Sequence, residues 1–138
     1  MTTKKKPAPI HLGDPTAQDK VFVPGPGRIF VFGSNEAGIH GAGAAATAFK
    51  EYGAEWHNPE GLQGQSYAIP TKDQKLETLT LRAVQKYINK FLAFAQDHPE
   101  LYFFVTRIGC GLAGFLDAEM APLFRDAPAN CELPHGWR

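Results

Sequence analysis

The segment from Arg28 to Phe49, RIFVFGSNEAGIHGAGAAATAF, constrains what this chain can fold into more than any other. Ile29-Phe30-Val31-Phe32 is an unbroken apolar run, the composition of a strand buried on both faces. Ala44 to Phe49 reads as the opening of a helix. Between them lie Gly33, Gly38, Gly41 and Gly43, the polar pair Ser34-Asn35, and His40. A buried strand feeding a glycine-rich loop and then a helix N-terminus builds an anion site. Glycines let the backbone approach a ligand, and the unpaired N–H groups and helix dipole favour phosphate. The segment points to a nucleotide-type ligand.

The rest of the chain supplies the frame for that loop. Residues 1 to about 27 hold Pro7, Pro9, Pro15, Pro24 and Pro26, which predicts an extended arm in which only Val21-Phe22-Val23 could add an edge strand. Residues 28–138 then form one domain. A helix is expected from about Gly41 to Tyr52 with Gly53 as its stop, then a loop from Ala54 to Gln65, then a strand Ser66–Ile69 cut off by Pro70. Leu81, Val84, Ile88, Phe91, Leu92 and Ala95 recur at helical spacing and predict an amphipathic helix from about Thr78 to His98. Leu101–Val105 is a second central strand, followed by a second glycine loop, Thr106 to Phe115. A short helix over 118–125 and a last strand at Cys131-Glu132-Leu133 complete the chain. Strands alternating with helices predict an α/β fold with a short, mostly parallel sheet covered by helices on both faces. In such a sheet the ligand crevice lies where strands feed loops.

Composition excludes several classes of function. The 138 residues carry zero net charge, so there is no electrostatic footprint for strong non-specific nucleic-acid binding; Lys4-Lys5-Lys6 is the only charge run. No apolar run approaches the roughly 20 residues needed to span a bilayer, and the expected location is cytoplasmic, with no membrane partner. Cys110 and Cys131 make no disulfide framework, and His11, His57, His98 and His135 have no partners at metal-ligand spacing, so neither metal nor cofactor is expected.

Gly41-Ala42-Gly43-Ala44-Ala45-Ala46 matches the G-x-G-x-x-A dinucleotide pattern, with Glu60 downstream. In that fold the glycines follow the strand directly, whereas here eight residues separate Phe32 from Gly41, and Glu60 falls in a loop. A Walker A lysine is absent. The ordered series is more specific: Gly33-Ser34-Asn35, then His40-Gly41-Ala42-Gly43-Ala44-Ala45, then Tyr67-Ala68-Ile69-Pro70-Thr71-Lys72, then Arg107-Ile108-Gly109-Cys110-Gly111-Leu112. This series resembles the macrodomain family, closest to the branch of terminal ADP-ribose protein glycohydrolase and the antitoxins that reverse DNA ADP-ribosylation. The likeness covers roughly Ile29 to Phe124, and Arg107–Leu112 is its most specific part.

The resemblance implies a three-layer α/β/α macrodomain-like fold that binds ADP-ribose, or a related small nucleotide, between the two glycine loops. An ADP-ribosylated macromolecule is then a partner. Ser34 and Asn35 match the position facing the distal ribose, and Gly41, Ala42 and Gly43 would offer N–H groups nearby. Gly109, Cys110, Gly111 and Leu112 match the loop that wraps the diphosphate, and Phe115 would stack on a ribose or adenine. Lys72 falls where the glycohydrolase branch carries its nucleophilic lysine, which must be neutral to attack a sugar carbon. Where that branch has an acidic residue after G-C-G-L, this chain has Ala113. General acid–base help would have to come from Asp73 or Asp117. Plain alternatives stand beside each role. Lys72 could be an exposed lysine, Asp73 a turn cap, Ser34 and Asn35 satisfiers of their own loop, and His40 a solvent-facing histidine or a general base. Cys110 could be a small residue between glycines, and Arg107 an anion ligand or a carboxylate's partner. Three readings follow: an ADP-ribose binder with or without glycohydrolase activity, a phosphatase acting on an ADP-ribose phosphate, or a non-catalytic interaction protein on a degenerate scaffold.

Overall fold

The computed structural model describes residues 20–138; Lys4-Lys5-Lys6 and the rest of the expected arm up to residue 19 lie outside them. The chain runs β1 (Arg28–Asn35), α1 (Gly43–Glu51), β2 (Gly61–Gln63), β3 (Ser66–Lys72), α2 (Leu81–Asp97), β4 (Tyr102–Val105), α3 (Asp117–Met120), a 3₁₀ turn (Ala121–Phe124) and β5 (Cys131–Glu132). The five strands form one sheet in the order β2-β3-β1-β4-β5. β1 is central and parallel to both β3 and β4, and β5 is parallel to β4. β2 is antiparallel to β3. The fold is therefore α/β with a mostly parallel sheet.

Strand alternation divides the core. Ile29 and Val31 join Tyr67, Ile69, Phe103 and Val105 against Val84, Ile88, Phe91 and Ala95 of α2. Phe30 and Phe32 join Ala68 and Phe104 against Ala45 and Ala48 of α1. An apolar run with both sides buried is what β1 needs in this position. Each such side chain contributes about 1.5–3 kcal/mol on burial. α2 starts at Leu81 because the Thr80 hydroxyl accepts the Ala83 N–H, which satisfies one of the orphan donors of the first turn.

Several boundaries differ from the sequence expectation. β1 continues through Gly33-Ser34 to Asn35, pairing with β3 and breaking register between Ser34 and Asn35. β3 runs through Pro70 to Lys72. Its pairing with β2 stops at Ala68, so the missing Pro70 N–H leaves no ladder bond unmade on that side. β2 lies in the stretch expected to be loop, joined to β3 by Gly64-Gln65 with Gly64 at φ +60°. Val21–Val23 forms no strand; instead the Phe22 ring packs at 5.4 Å from Phe30, 4.9 Å from Tyr52 and 5.4 Å from Phe104. Residues 20–27 thus belong in part to the packed body. Among the described residues no helix is long and apolar enough to cross a membrane.

Candidate ligand cleft

The connections out of β1 and β3 run to opposite sides of the sheet, β1 to β3 through α1 and β3 to β4 through α2. A crevice opens at the carboxyl ends of the strands where such connections diverge. A cavity of about 250 Å³ lies there, lined by the ends of β1 and β3, the N-terminus of α1 and the loop after β4. Two separate glycine loops of the sequence are brought onto one cleft.

Its walls are mainly backbone. Ala42 at the N-cap of α1 has extended backbone and makes no side-chain cap, and the first turn of the helix contains no acidic residue. The N–H groups of Gly43, Ala44 and Ala45 therefore have no intrahelical acceptor. Gly43 sits at φ +59° with nothing within 4 Å of where a Cβ would be. Opposite, the N–H groups of Gly111, Leu112 and Ala113 have no acceptor among the described residues. Gly109 has φ +80°, and a Cβ there would meet Phe115 Cδ2 at 3.0 Å and Met120 Cε at 3.1 Å. A hydrogen bond from Thr78 Oγ1 to the Ala113 carbonyl, 2.9 Å, ties the second loop to the segment after β3.

Lys72 and Arg107 line the cleft, and no carboxylate of the described residues does. Lys72 forms no ion pair among the described residues. The Arg107 guanidinium donates to Asp117 Oδ2 in an ion pair that leaves only 7% of its side chain exposed. It is thus both a carboxylate's partner and part of the cleft wall.

Ser34, Asn35, Gly41, Ala42, Gly43, Lys72, Arg107, Gly109, Gly111 and Leu112 meet at the cleft. Four other candidates do not line it. His40 is 1% exposed, and its Nε2 lies 2.8 Å from the Glu55 carbonyl and 3.2 Å from that of Asn58, so it is a loop anchor and not a solvent-facing base. With two carbonyls as neighbours Nε2 carries the proton, and Nδ1 is buried with no hydrogen-bond partner among the described residues. Asp73 accepts from the N–H groups of Lys75 at 2.8 Å and Glu77 at 3.0 Å, the turn-capping role. Cys110 is fully buried, and burial together with the Asp117 carboxylate pushes its thiol up to about 12. It is therefore protonated at neutral pH and not a nucleophile. Phe115 packs under the loop against the core, its N–H on the Gly109 carbonyl at 2.8 Å, instead of offering a free stacking face. Asp117 is also engaged, its second oxygen accepting Trp137 Nε1–H at 2.7 Å.

Ser34 and Asn35 line the cleft, yet their side chains serve their own surroundings. Asn35 donates Nδ2–H to the Ile39 carbonyl at 2.8 Å and accepts the Ile39 N–H at 3.0 Å, closing the turn after β1. Ser34 Oγ donates to the Pro59 carbonyl at 2.5 Å. Sequence reasoning missed Thr71, Leu76 and Thr106 as lining residues. Leu76 is a non-glycine residue at φ +66°, which no local pattern announces.

No family model matches this chain, and no curated protein does. A solved protein of unknown function from Bacteroides thetaiotaomicron is similar to it at 17% identity and a TM-score of 0.54, over 76% of this chain and 82% of that one. At that identity the likeness concerns the fold alone.

Proposed function

We propose that this chain is a three-layer, macrodomain-like module that binds ADP-ribose or a closely related nucleotide between its two glycine loops. The observation that carries the reading is the composition of the cleft: two cations, uncapped N–H groups from both walls, and no lining carboxylate among the described residues. Such a surface favours an anion held by backbone donors. In this reading the diphosphate lies between the α1 N-terminus and Gly109–Ala113, and the distal ribose lies beside Asn35 and Lys72. Binding without hydrolysis is the favoured form. Ala113 stands in the lining where an acid would assist, Asp73 caps a turn, and Asp117 holds Arg107 and Trp137.

Calorimetric titration with ADP-ribose, with ADP and ribose 5-phosphate as partial ligands, tests the reading. Saturable binding of ADP-ribose that exceeds both fragments supports it; no heat and no thermal shift at millimolar ligand sinks it. Release of ADP-ribose from modified protein or DNA by the native chain, lost in Lys72→Ala, would replace the binder with a glycohydrolase. Release of phosphate from an ADP-ribose phosphate would favour a phosphatase.

A further inference from the structure

The second ligand loop is anchored by one carboxylate that takes a different donor on each oxygen. Arg107, at the start of the loop and in the cleft wall, donates Nη2–H to Asp117 Oδ2. Trp137 donates Nε1–H to Asp117 Oδ1 at 2.7 Å, and the Cys110 thiol approaches the same oxygen at 3.8 Å. Asp117 opens α3 directly after the loop, so Arg107 and Asp117 bracket Gly109–Leu112. Trp137 is 4% exposed, with its ring 5.3 Å from that of Phe124 and its N–H on the Pro134 carbonyl at 3.0 Å. Arg138 next to it donates to the carbonyls of Ala127, Pro128 and Cys131 at 3.0, 3.1 and 2.9 Å. The donor on Asp117 Oδ1 is therefore itself rigidly held.

A carboxylate with one donor can turn about its terminal bond; with a fixed donor on each oxygen it cannot. We propose that Trp137 and Asp117 are positioning residues for the cleft, which fix the Arg107 guanidinium in the wall where an anionic ligand meets it. A residue 30 positions along the chain from Arg107 thereby sets the affinity of the site. The inference rests on reading the cleft as an anion site. It goes beyond that reading in assigning a role to residues 117 and 137, outside the glycine loops.

The test uses the full chain with Trp137→Phe, which keeps an aromatic ring on Phe124 and removes only the donor. Asp117→Asn keeps an acceptor for Trp137 and removes the charge. Affinities for ADP-ribose and inorganic pyrophosphate are measured with amide hydrogen exchange of the two loops. In Trp137→Phe, affinity is expected to fall about tenfold, which is about 1.4 kcal/mol and within the range for a hydrogen bond to a charged group. Exchange of the bonded loop amides of Cys110, Gly114 and Phe115 speeds up while that of Ala46 at the start of α1 stays as it was. The charge-reversed pair, Arg107→Asp with Asp117→Arg, should regain the stability lost in either single change and still bind neither ligand. Unchanged exchange at Cys110, Gly114 and Phe115 in Trp137→Phe overturns the proposal, as does faster exchange with unchanged affinity or restored binding in the reversed pair. A native chain that binds neither ligand refutes the proposed function instead, and the exchange measurement then decides the anchoring alone.

Discussion

Gly43 and Gly109 share a backbone conformation and differ in surroundings, which makes them a matched pair for testing how the cleft is built. Both lie in the left-handed region, at φ +59° and +80°. Placing an L side chain there costs roughly 1–2 kcal/mol whatever surrounds it. For Gly43→Ala the cost stops there, because nothing lies within 4 Å of the new Cβ. For Gly109→Ala the Cβ comes to 3.0–3.1 Å from Phe115 Cδ2 and Met120 Cε. Met120 is fully buried, so the overlap is relieved only by moving a packed core side chain. Overpacking of this kind adds about 1–3 kcal/mol, for a total of about 2–5 kcal/mol. For a chain of this size each kcal/mol corresponds to about 3–5 °C of melting temperature. Thermal unfolding of both variants should therefore rank Gly43→Ala clearly above Gly109→Ala. The ranking for ligand is expected to differ, because Gly43 lines the cleft directly and a methyl there stands where the ligand approaches the α1 N–H groups. Gly43→Ala should weaken ADP-ribose binding by more than its small stability loss suggests. Equal melting temperatures for the two variants would refute the packing argument. Unimpaired binding by Gly43→Ala would refute the placement of the ligand at the helix N-terminus.

Asn35→Asp keeps the acceptor for the Ile39 N–H but turns a carboxylate toward the Ile39 carbonyl; a loss of about 1–3 kcal/mol in urea unfolding is expected, and Asn35→Ala should lose a similar amount. His40→Ala removes a fully buried ring and takes one of two donors from the Glu55 and Asn58 carbonyls, so it should destabilise by about 2–4 kcal/mol; a variant as stable as the native chain would contradict the anchoring role. Alkaline pH should unfold the protein by a defined order of groups. Burial raises the Cys110 thiol to about 12 and the Cys131 thiol to about 11, each from 9.0, and Tyr67 is raised by burial and the Glu60 charge from 10.0 to about 12. A raised folded pKa gives stability that is complete below the unfolded value and is lost as pH climbs toward the folded one. The melting temperature should be insensitive to these groups below about pH 9, fall above it as the thiols count, and fall more steeply above 10 as Tyr67 joins them. A melting temperature that is flat or rising up to pH 11 would contradict this linkage. Both thiols should also resist a disulfide reagent until unfolding, since Cys110 and Cys131 are 0% and 3% exposed.

What could be read in the sequence was what depends on periodicity. The apolar run of β1, the helical spacing of α2 and the aromatic run of β4 each repeat a signal over several residues, and each element is present. β2 has three residues and one apolar side chain, Leu62, too few for an alternation to register. Gly64-Gln65 before a β-rich stretch was the available turn signal for that hairpin. Proline at 70 suggested a strand end because the pattern shows no neighbour, and the structure shows that the β2 side has none there. Among candidate site residues, the glycines that line the cleft were legible as loop positions because glycine at a required φ or close approach leaves its mark in composition. Side-chain roles were less so. His40 and Cys110 have residue types that suit catalysis, and only contacts with Glu55 and Asp117 show what they are engaged in, whereas the turn that Asp73 caps is local and stood among its sequence readings. Trp137 lay outside every motif because its partner is 20 residues away in sequence.

The sheet places its shortest strands at its borders: β2 with three residues at one side and β5 with two at the other. Open strand edges invite pairing with other chains, and brevity is one way to blunt them. β5 in particular covers Phe103 and Phe104 of β4, a strand reading Tyr-Phe-Phe-Val. Loss of the segment from Asn130 onward would uncover an aromatic edge with the composition of an assembly-prone strand. A chain truncated before Asn130 is therefore expected to self-associate more readily than the full chain, read by light scattering.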